Sequence, residues 1–403
     1  MAYLIIVISF ISLIFYLYRF KKTEDIICVL PIFYNFVVLY VIFGVTVFTY
    51  ATKDPFLLYN QISSEALNNA SFMFILSAFC FYLGGRAIKN KKNKKSIVIN
   101  NNRLDIKYQK SLIFLILSIY IMYVLGYGVE GLIYRKSYID QSFERNKTIL
   151  IIFFVSAPFI TTLIPFIKRR LTKYTVYLFC FLILFSSSSR FIIMLPFLYL
   201  IGTFLRYRKI KLYIIAINVS IILVGLIFVL QIRYNIHHGL IPNTIALITK
   251  GIDTEFLFIG LNYALSFSLF GAAYVLSNFS HNNVAFITSI NPLPSHFLDI
   301  QYMLDIQTMK KTAPMSAISV LALAGYAILI PFYVITGACF SYILKRMDGV
   351  TFLYYAVVGL FIMFTLFSIQ YNLRGLSRFF YYSLLIFIFY IFISKFKIKK
   401  KSS

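Results

Sequence analysis

Runs of roughly 18 or more apolar residues recur along this chain, beginning with "MAYLIIVISFISLIFYLY" at 1–18. A helix of that length spans the ~30 Å of hydrocarbon in a bilayer. Inside a bilayer every backbone N–H and C=O must find a partner within the protein, which leaves helices and closed barrels as the only spanning forms. A barrel would show ~10-residue segments of alternating polarity, and none appears. The chain is therefore expected to be an all-α polytopic membrane protein. Its make-up agrees: 60% of the 403 residues are hydrophobic and 13% charged, against about 25% charged in soluble domains.

Spans are expected near 2–20, 26–49, 66–86, 111–129, 148–167, 174–188, 190–205, 211–231, 316–344, 350–369 and 378–395, about eleven within a range of 10–12. The loops on one side then carry "RFKK", "RAIKNKKNKK" with "RLDIKYQK", "KRRLTK", "RYRKIK", "KR" and "KFKIKKK", holding 27 Lys/Arg and 4 Asp/Glu, against 12 and 9 on the other side. Basic loops stay in the cytoplasm, so the N-terminus is expected outside and the C-terminus inside. This is the arrangement of a multi-pass membrane protein. The formal charge of +26 thus reads as membrane orientation, not as a nucleic-acid surface. The first apolar run has its positive charges after it and lacks a small-residue cleavage site, so it reads as a retained helix. With 32 Tyr, 44 Phe and no Trp, tyrosine is expected to form the interfacial belt.

One large external loop, 232–315, interrupts the pattern. Within it, 256–279 is apolar but broken by Asn262, Ser266, Ser268 and Gly271. A twelfth span there would invert every later loop, so a re-entrant or interface-lying helix fits the charge rule better. The whole chain reads as one integral membrane domain. No internal repeat is evident, which weakens any transporter reading built on inverted halves.

Costly polar groups mark function in membrane proteins, and here they gather outside. Arg190 follows four serines in "SSSSRFIIMLPF", Arg233 lies in "QIRYNIHHG", and Arg374 and Arg378 lie in "QYNLRGLSR". Arginine donates a planar, permanently charged fork that suits phosphate oxygens. Arg190, Arg233 and Arg374 occupy similar depths and are candidates for one shared anion site, with Ser187 to Ser189 as added hydroxyl donors and Arg378 and His237 nearby. All four histidines (His237, His238, His281, His296) fall in the external loop and are candidate bases near neutral pH. His296 is favoured because "INPLP" stiffens the chain before it, and His238 is the second choice. No acid falls in the middle of a span, and no D-x-D pair suggests a metal. Scattered external acids read as solvated, with Asp253 and Glu255 the better candidates. Cys28, Cys80, Cys180 and Cys339 lie in apolar segments without CxxC spacing and read as buried thiols.

The stretches "SSSSR" (186–190), "INPLPS" (290–295), "LALAGYAILIPFYVITG" (321–337) and "NLRG" (372–375), on about eleven spans with a large late external loop, resemble the bacterial O-antigen polymerases of the oligosaccharide repeat-unit polymerase family. Many members carry an acid ahead of the glycine-containing late helix, and "SAISVLALAG" departs from that pattern. The resemblance implies a periplasm-facing, metal-independent glycosyltransferase without cofactor. Its substrates would be oligosaccharide repeat units on undecaprenyl diphosphate. The growing chain would pass to the free hydroxyl of the incoming unit and release undecaprenyl diphosphate. Partners would be lipid-linked oligosaccharide, membrane lipid and a polysaccharide chain-length regulator. The residue roles expected on this reading are His296 and His238 as catalytic bases, and Arg190, Arg233, Arg374, Arg378, Ser189 and His237 as diphosphate or substrate binders. Two rivals share some of these features. An O-antigen ligase would leave uncapped core in a deletion strain, whereas a polymerase would leave core capped with a single repeat. A lipid-linked oligosaccharide flippase would leave units on the cytoplasmic leaflet.

Overall fold

A computed structural model describes residues 1–23, 25–52, 58–88, 108–136, 145–188, 191–207, 212–233, 235–253, 255–310, 313–347 and 352–399. In chain order the helices are α1 (Ala2–Thr23), α2 (Val29–Thr46), α3 (Ser64–Ala87), α4 (Gln109–Tyr127), α5 (Val129–Ile133), α6 (Lys147–Thr161), α7 (Arg170–Ser186), α8 (Phe191–Tyr207) and α9 (Leu212–Arg233). They continue with α10 (Leu240–Lys250), α11 (Glu255–Leu261), α12 (Phe267–Asn278), α13 (Asn283–Ile290), α14 (Ile300–Ile306), α15 (Ala317–Leu323), α16 (Tyr326–Arg346), α17 (Phe352–Phe367) and α18 (Leu373–Lys399). The antiparallel pair β1 (Thr308–Lys310) and β2 (Ala313–Pro314) is a small clip between α14 and α15. The chain is thus an all-α membrane protein. Among the described residues six helices are long and apolar enough to cross a bilayer: Ala2–Thr23, Ile26–Thr46, Ser64–Ala87, Gln109–Tyr127, Tyr326–Arg346 and Leu373–Phe392. Shorter apolar helices at Lys147–Thr161, Met194–Tyr207, Ser220–Val229 and Leu353–Phe367 accompany them.

The chain divides into two compact units, Met1–Ser96 with Leu261–Ser403, and Ile97–Gly260. In the first unit the tightest pairing is α3 against α16. Glycines set it from both sides: a Cβ on Gly84 would overlap the Val334 carbonyl, and one on Gly337 would overlap the Phe81 carbonyl. Hydrocarbon gives apolar helices no reason to associate, so backbones that touch closely supply the packing energy. The Tyr34 and Tyr333 hydroxyls, 2.8 Å apart, tie α2 to the same helix. Because a backbone carbonyl cannot swing aside, Gly337→Val should cost at least the ~1–3 kcal/mol typical of overpacking, read as a lowered Tm in detergent. Gly271→Ala is the matched control. Its added methyl would meet only the Met309 side chain at 3.4 Å, and its Tm should stay within a degree or two of wild type.

Two expectations change here. The single span at 316–344 is two helices, because Gly325 turns to φ +85° between α15 and α16; a positive φ interrupts the helical hydrogen-bond ladder. Within 256–279, α12 is buried from Phe267 to Ala273 between α3 and α15, which removes the interface-lying alternative and leaves the re-entrant one. A π turn at Asn262–Ser266 precedes it, held where Asn262 accepts from the Tyr40 hydroxyl (2.9 Å) and donates to the Tyr50 carbonyl (2.8 Å). The amphipathic element within 232–315 is α10. Ile241, Ile245 and Ile248 line its outer face, Ile248 being 77% exposed, while Asn243 is fully buried opposite.

In the second unit α4 packs against α6 and α7, α8 against α9, and α10 lies on α7. The Tyr120 hydroxyl meets Thr161 Oγ1 at 2.8 Å, and Phe153 fills the space between Tyr120 and Tyr123.

Candidate functional site

In the first unit the "INPLPS" loop is pinned to the start of α18. The last carbonyls of any helix lack intrahelical partners, and those of α13 find theirs on one face of α18. Arg374 donates through Nη1 to the Thr288 and Asn291 carbonyls (2.9 and 3.1 Å) and through Nη2 to the Leu293 carbonyl (2.7 Å). Ser377 Oγ donates to the Ser289 carbonyl at 3.1 Å, and the Tyr381 hydroxyl donates to the Ile290 carbonyl. Residues 374, 377 and 381 share a helical face. "NLRG" now has a local explanation: Asn372 caps α18 by accepting from the Gly375 N–H at 2.8 Å, and Leu373 is buried. Arg374, only 5% exposed, therefore spends its fork on backbone carbonyls and holds the loop in place.

One turn further along α18, Arg378 has a different position. Its Nη2 donates to Ser295 Oγ at 2.9 Å, and both line a groove of about 550 Å³. Pro292 and Pro294 form part of the wall, and Tyr382, Leu384 and Leu385 continue it along α18. The groove is thus cationic and hydroxyl-bearing at one end and apolar along its length. His296 follows Ser295 in an exposed 3-10 turn, its ring 4.0 Å from that of Phe297. Of the residues singled out in the sequence, Arg374 and Arg378 thus both hold the loop that carries His296, and Arg378 lines the groove.

A second polar cluster is built in the other unit around the serine turn that ends α7. Gly128 (φ +91°) stops α4, α5 makes one turn, and Arg135 then pairs with His238 in an isolated bridge (N···O 2.8 and 2.9 Å). The glycine of "HHG" is required there, because Gly239 has φ +120° and a Cβ would overlap the Ile133 carbonyl. Arg135 is 1% exposed. It donates through Nη1 to the Gly131 and Ser186 carbonyls (both 3.1 Å) and through Nη2 to the Ser187 carbonyl (2.9 Å) and Ser188 Oγ (3.4 Å). Asn243 of α10 adds bonds to the Phe185 carbonyl (2.8 Å) and Ser188 Oγ (3.1 Å). The serines serve the turn itself: the Ser186 and Ser187 hydroxyls donate to the Ile183 and Leu184 carbonyls, and Ser188 adopts φ +54°. Ser186 and Ser187 are therefore spent within α7 and are not free donors to an anion.

Beside this turn, the Arg145 guanidinium lies 4.4 Å from the Tyr127 ring centroid and that of Arg135 lies 5.4 Å from the same centroid. Arg145 Nε and Nη2 are buried without a hydrogen-bond partner among the described residues. Arg145 thus keeps donors that an anion beside Tyr127 would take up. His238 is 1% exposed; burial first, then the charge of Arg135, holds its pKa below the ordinary value. Its ring is therefore neutral at pH 7, yet shielded from an incoming hydroxyl. His237 is exposed, stacked on Tyr134 and bonded through Nδ1 to its hydroxyl at 2.9 Å. Ser189 and Arg190 lie outside the described residues, and Arg233 is described only as the last residue of α9.

Arg135 and Arg145 were not singled out by the sequence, because "IYRKSY" and "FERNKT" read as solvated loops. No family model matches the chain, and no curated protein or solved structure shows significant similarity to it.

Proposed function

We propose that this chain is a polymerase of lipid-linked oligosaccharide repeat units, acting at the outer face of a bacterial inner membrane. The groove carries the reading: a cation and a hydroxyl at one end with apolar walls beyond suit a diphosphate attached to a long polyprenyl chain. A polymerase handles two such lipids, and the Arg135–Arg145 cluster in the other unit offers a second anion-receptive place. In the reaction, the hydroxyl oxygen at the non-reducing end of the incoming unit attacks the anomeric carbon of the growing chain. The bond from that carbon to the diphosphate oxygen breaks, and undecaprenyl diphosphate leaves with the electron pair. Arginine charge stabilises the leaving diphosphate, and the hydroxyl proton passes to a base, for which His296 has the open access that His238 lacks.

The deciding experiment is incubation of the purified, reconstituted protein with undecaprenyl-diphosphate-linked repeat unit, read as a ladder on a gel. Absence of a ladder, with transfer of the repeat unit onto lipid A-core when that acceptor is added, would indicate the ligase instead. Lipid flipping without glycosidic bond formation would indicate the flippase. Arg190 remains part of this proposal through its place directly after the serine turn. Arg190→Ala is expected to abolish polymer while the protein stays in the membrane at wild-type level, and Arg190→Lys to restore little, because a point charge does not reproduce a bidentate fork. Full-length polymer from Arg190→Ala would remove it from the site.

A further inference from the structure

We infer that a pocket where α1, α3 and α16 end binds the phosphate headgroup of an anionic phospholipid. This rests on none of the residues used above. The pocket encloses about 160 Å³ between the last turns of those helices and the short turn that opens α2. Among the described residues Arg19, Arg86 and Lys345 line it against one carboxylate, Asp25. Asp25 is already engaged, since its Oδ1 accepts from the Ile27 N–H at 3.2 Å.

Two of the three cations, Arg19 and Lys345, are tethered by hydrogen bonds. Arg19 Nε donates to the Tyr82 hydroxyl at 3.1 Å, and among the described residues no hydrogen-bond acceptor takes its Nη groups. Lys345 Nζ donates to the Ile88 carbonyl at 2.8 Å, which fixes the ammonium and leaves a further proton to donate. Arg86 is exposed at the rim.

Size and surroundings narrow the ligand. Pockets for drug-sized molecules run to ~300–1,000 Å³, so this one admits a headgroup and little more. One turn or two back along the same helices, Phe15, Phe79 and Leu83 are 42%, 48% and 43% exposed, which places an apolar surface beside the charged pocket. A diacyl lipid satisfies both at once, whereas free phosphate satisfies only the cations. Basic pockets between membrane helices are known to take acidic headgroups in this way.

The test uses the full chain in nanodiscs of phosphatidylcholine containing a minority of phosphatidylglycerol, with lipids retained after detergent extraction counted by native mass spectrometry. Wild type should retain phosphatidylglycerol in preference to phosphatidylcholine. Arg19→Gln with Arg86→Gln should lose that retention by about fivefold for each arginine removed. Lys21→Gln with Lys22→Gln removes the same charge from exposed positions outside the pocket and should retain it. Equal loss in both double variants would reduce the effect to general surface attraction and overturn the proposal, as would equal retention of the two lipids by wild type. Inorganic phosphate alone is the third arm: stabilisation by phosphate that depends on Arg19 and Arg86, without phosphatidylglycerol retention, would also overturn it. If the Arg19 change prevents folding, Arg86→Gln alone, at an exposed rim position, carries the comparison.

Discussion

Arg378→Ala is expected to lower ladder formation by at least about a hundredfold, the scale seen when one preorganised donor to a developing anion is removed. The protein should still fold, because the side chain bonds to Ser295 Oγ at the groove edge and its removal orphans no backbone carbonyl among the described residues. Arg374→Ala should behave differently. Three carbonyls lose their donor there, so the "INPLPS" loop is expected to come loose and Tm to fall along with activity. Arg378→Lys should recover part of the rate if charge is what the groove needs. Wild-type polymer from Arg378→Ala would show that the groove does not hold the reacting diphosphate, and the function would have to be sought at the Arg135–Arg145 cluster.

The second large effect is expected at that cluster. Arg135→Met should destabilise the second unit by about 3 kcal/mol or more, since each buried carbonyl left without a donor costs ~1–3 kcal/mol and Arg135 serves those of Gly131, Ser186 and Ser187. A detergent melting curve reads this directly. Arg145→Gln is the informative partner. Its guanidinium makes ring contact with Tyr127 but no hydrogen bond among the described residues, so Tm should hardly move. If the cluster receives the second lipid-linked substrate, the KM for that substrate should rise tenfold or more in Arg145→Gln. Unchanged KM and Tm together would make Arg145 a bystander.

Much of this protein is readable from residue order alone. Apolar runs of bilayer length, the lopsided distribution of lysine and arginine, and the break at Asn262 to Gly271 all follow from local chemistry: hydrocarbon demands internally satisfied helices, and basic loops resist translocation. The glycines at 239 and 325 announce their turns because a side chain is disfavoured at those φ values. One further signal lay in the sequence unused. Of the twelve Lys/Arg on the face expected outside, six are arginine, while the other face has eight arginines among its 27.

Only the tertiary structure decided what each arginine does. Arg374 and Arg378 are four residues apart, on adjacent turns of one helix, and look alike in sequence; one is consumed by three carbonyls and the other faces a groove. Arg135 and Arg206 repeat the first behaviour, each forking onto the carbonyls of another helix end. A guanidinium carries five donors in a rigid plane, so its role depends on which acceptors the fold brings within 3 Å. Apart from the Gly131 carbonyl, those acceptors come from residues 39 to 86 positions away in the chain, a pairing that no local spacing encodes.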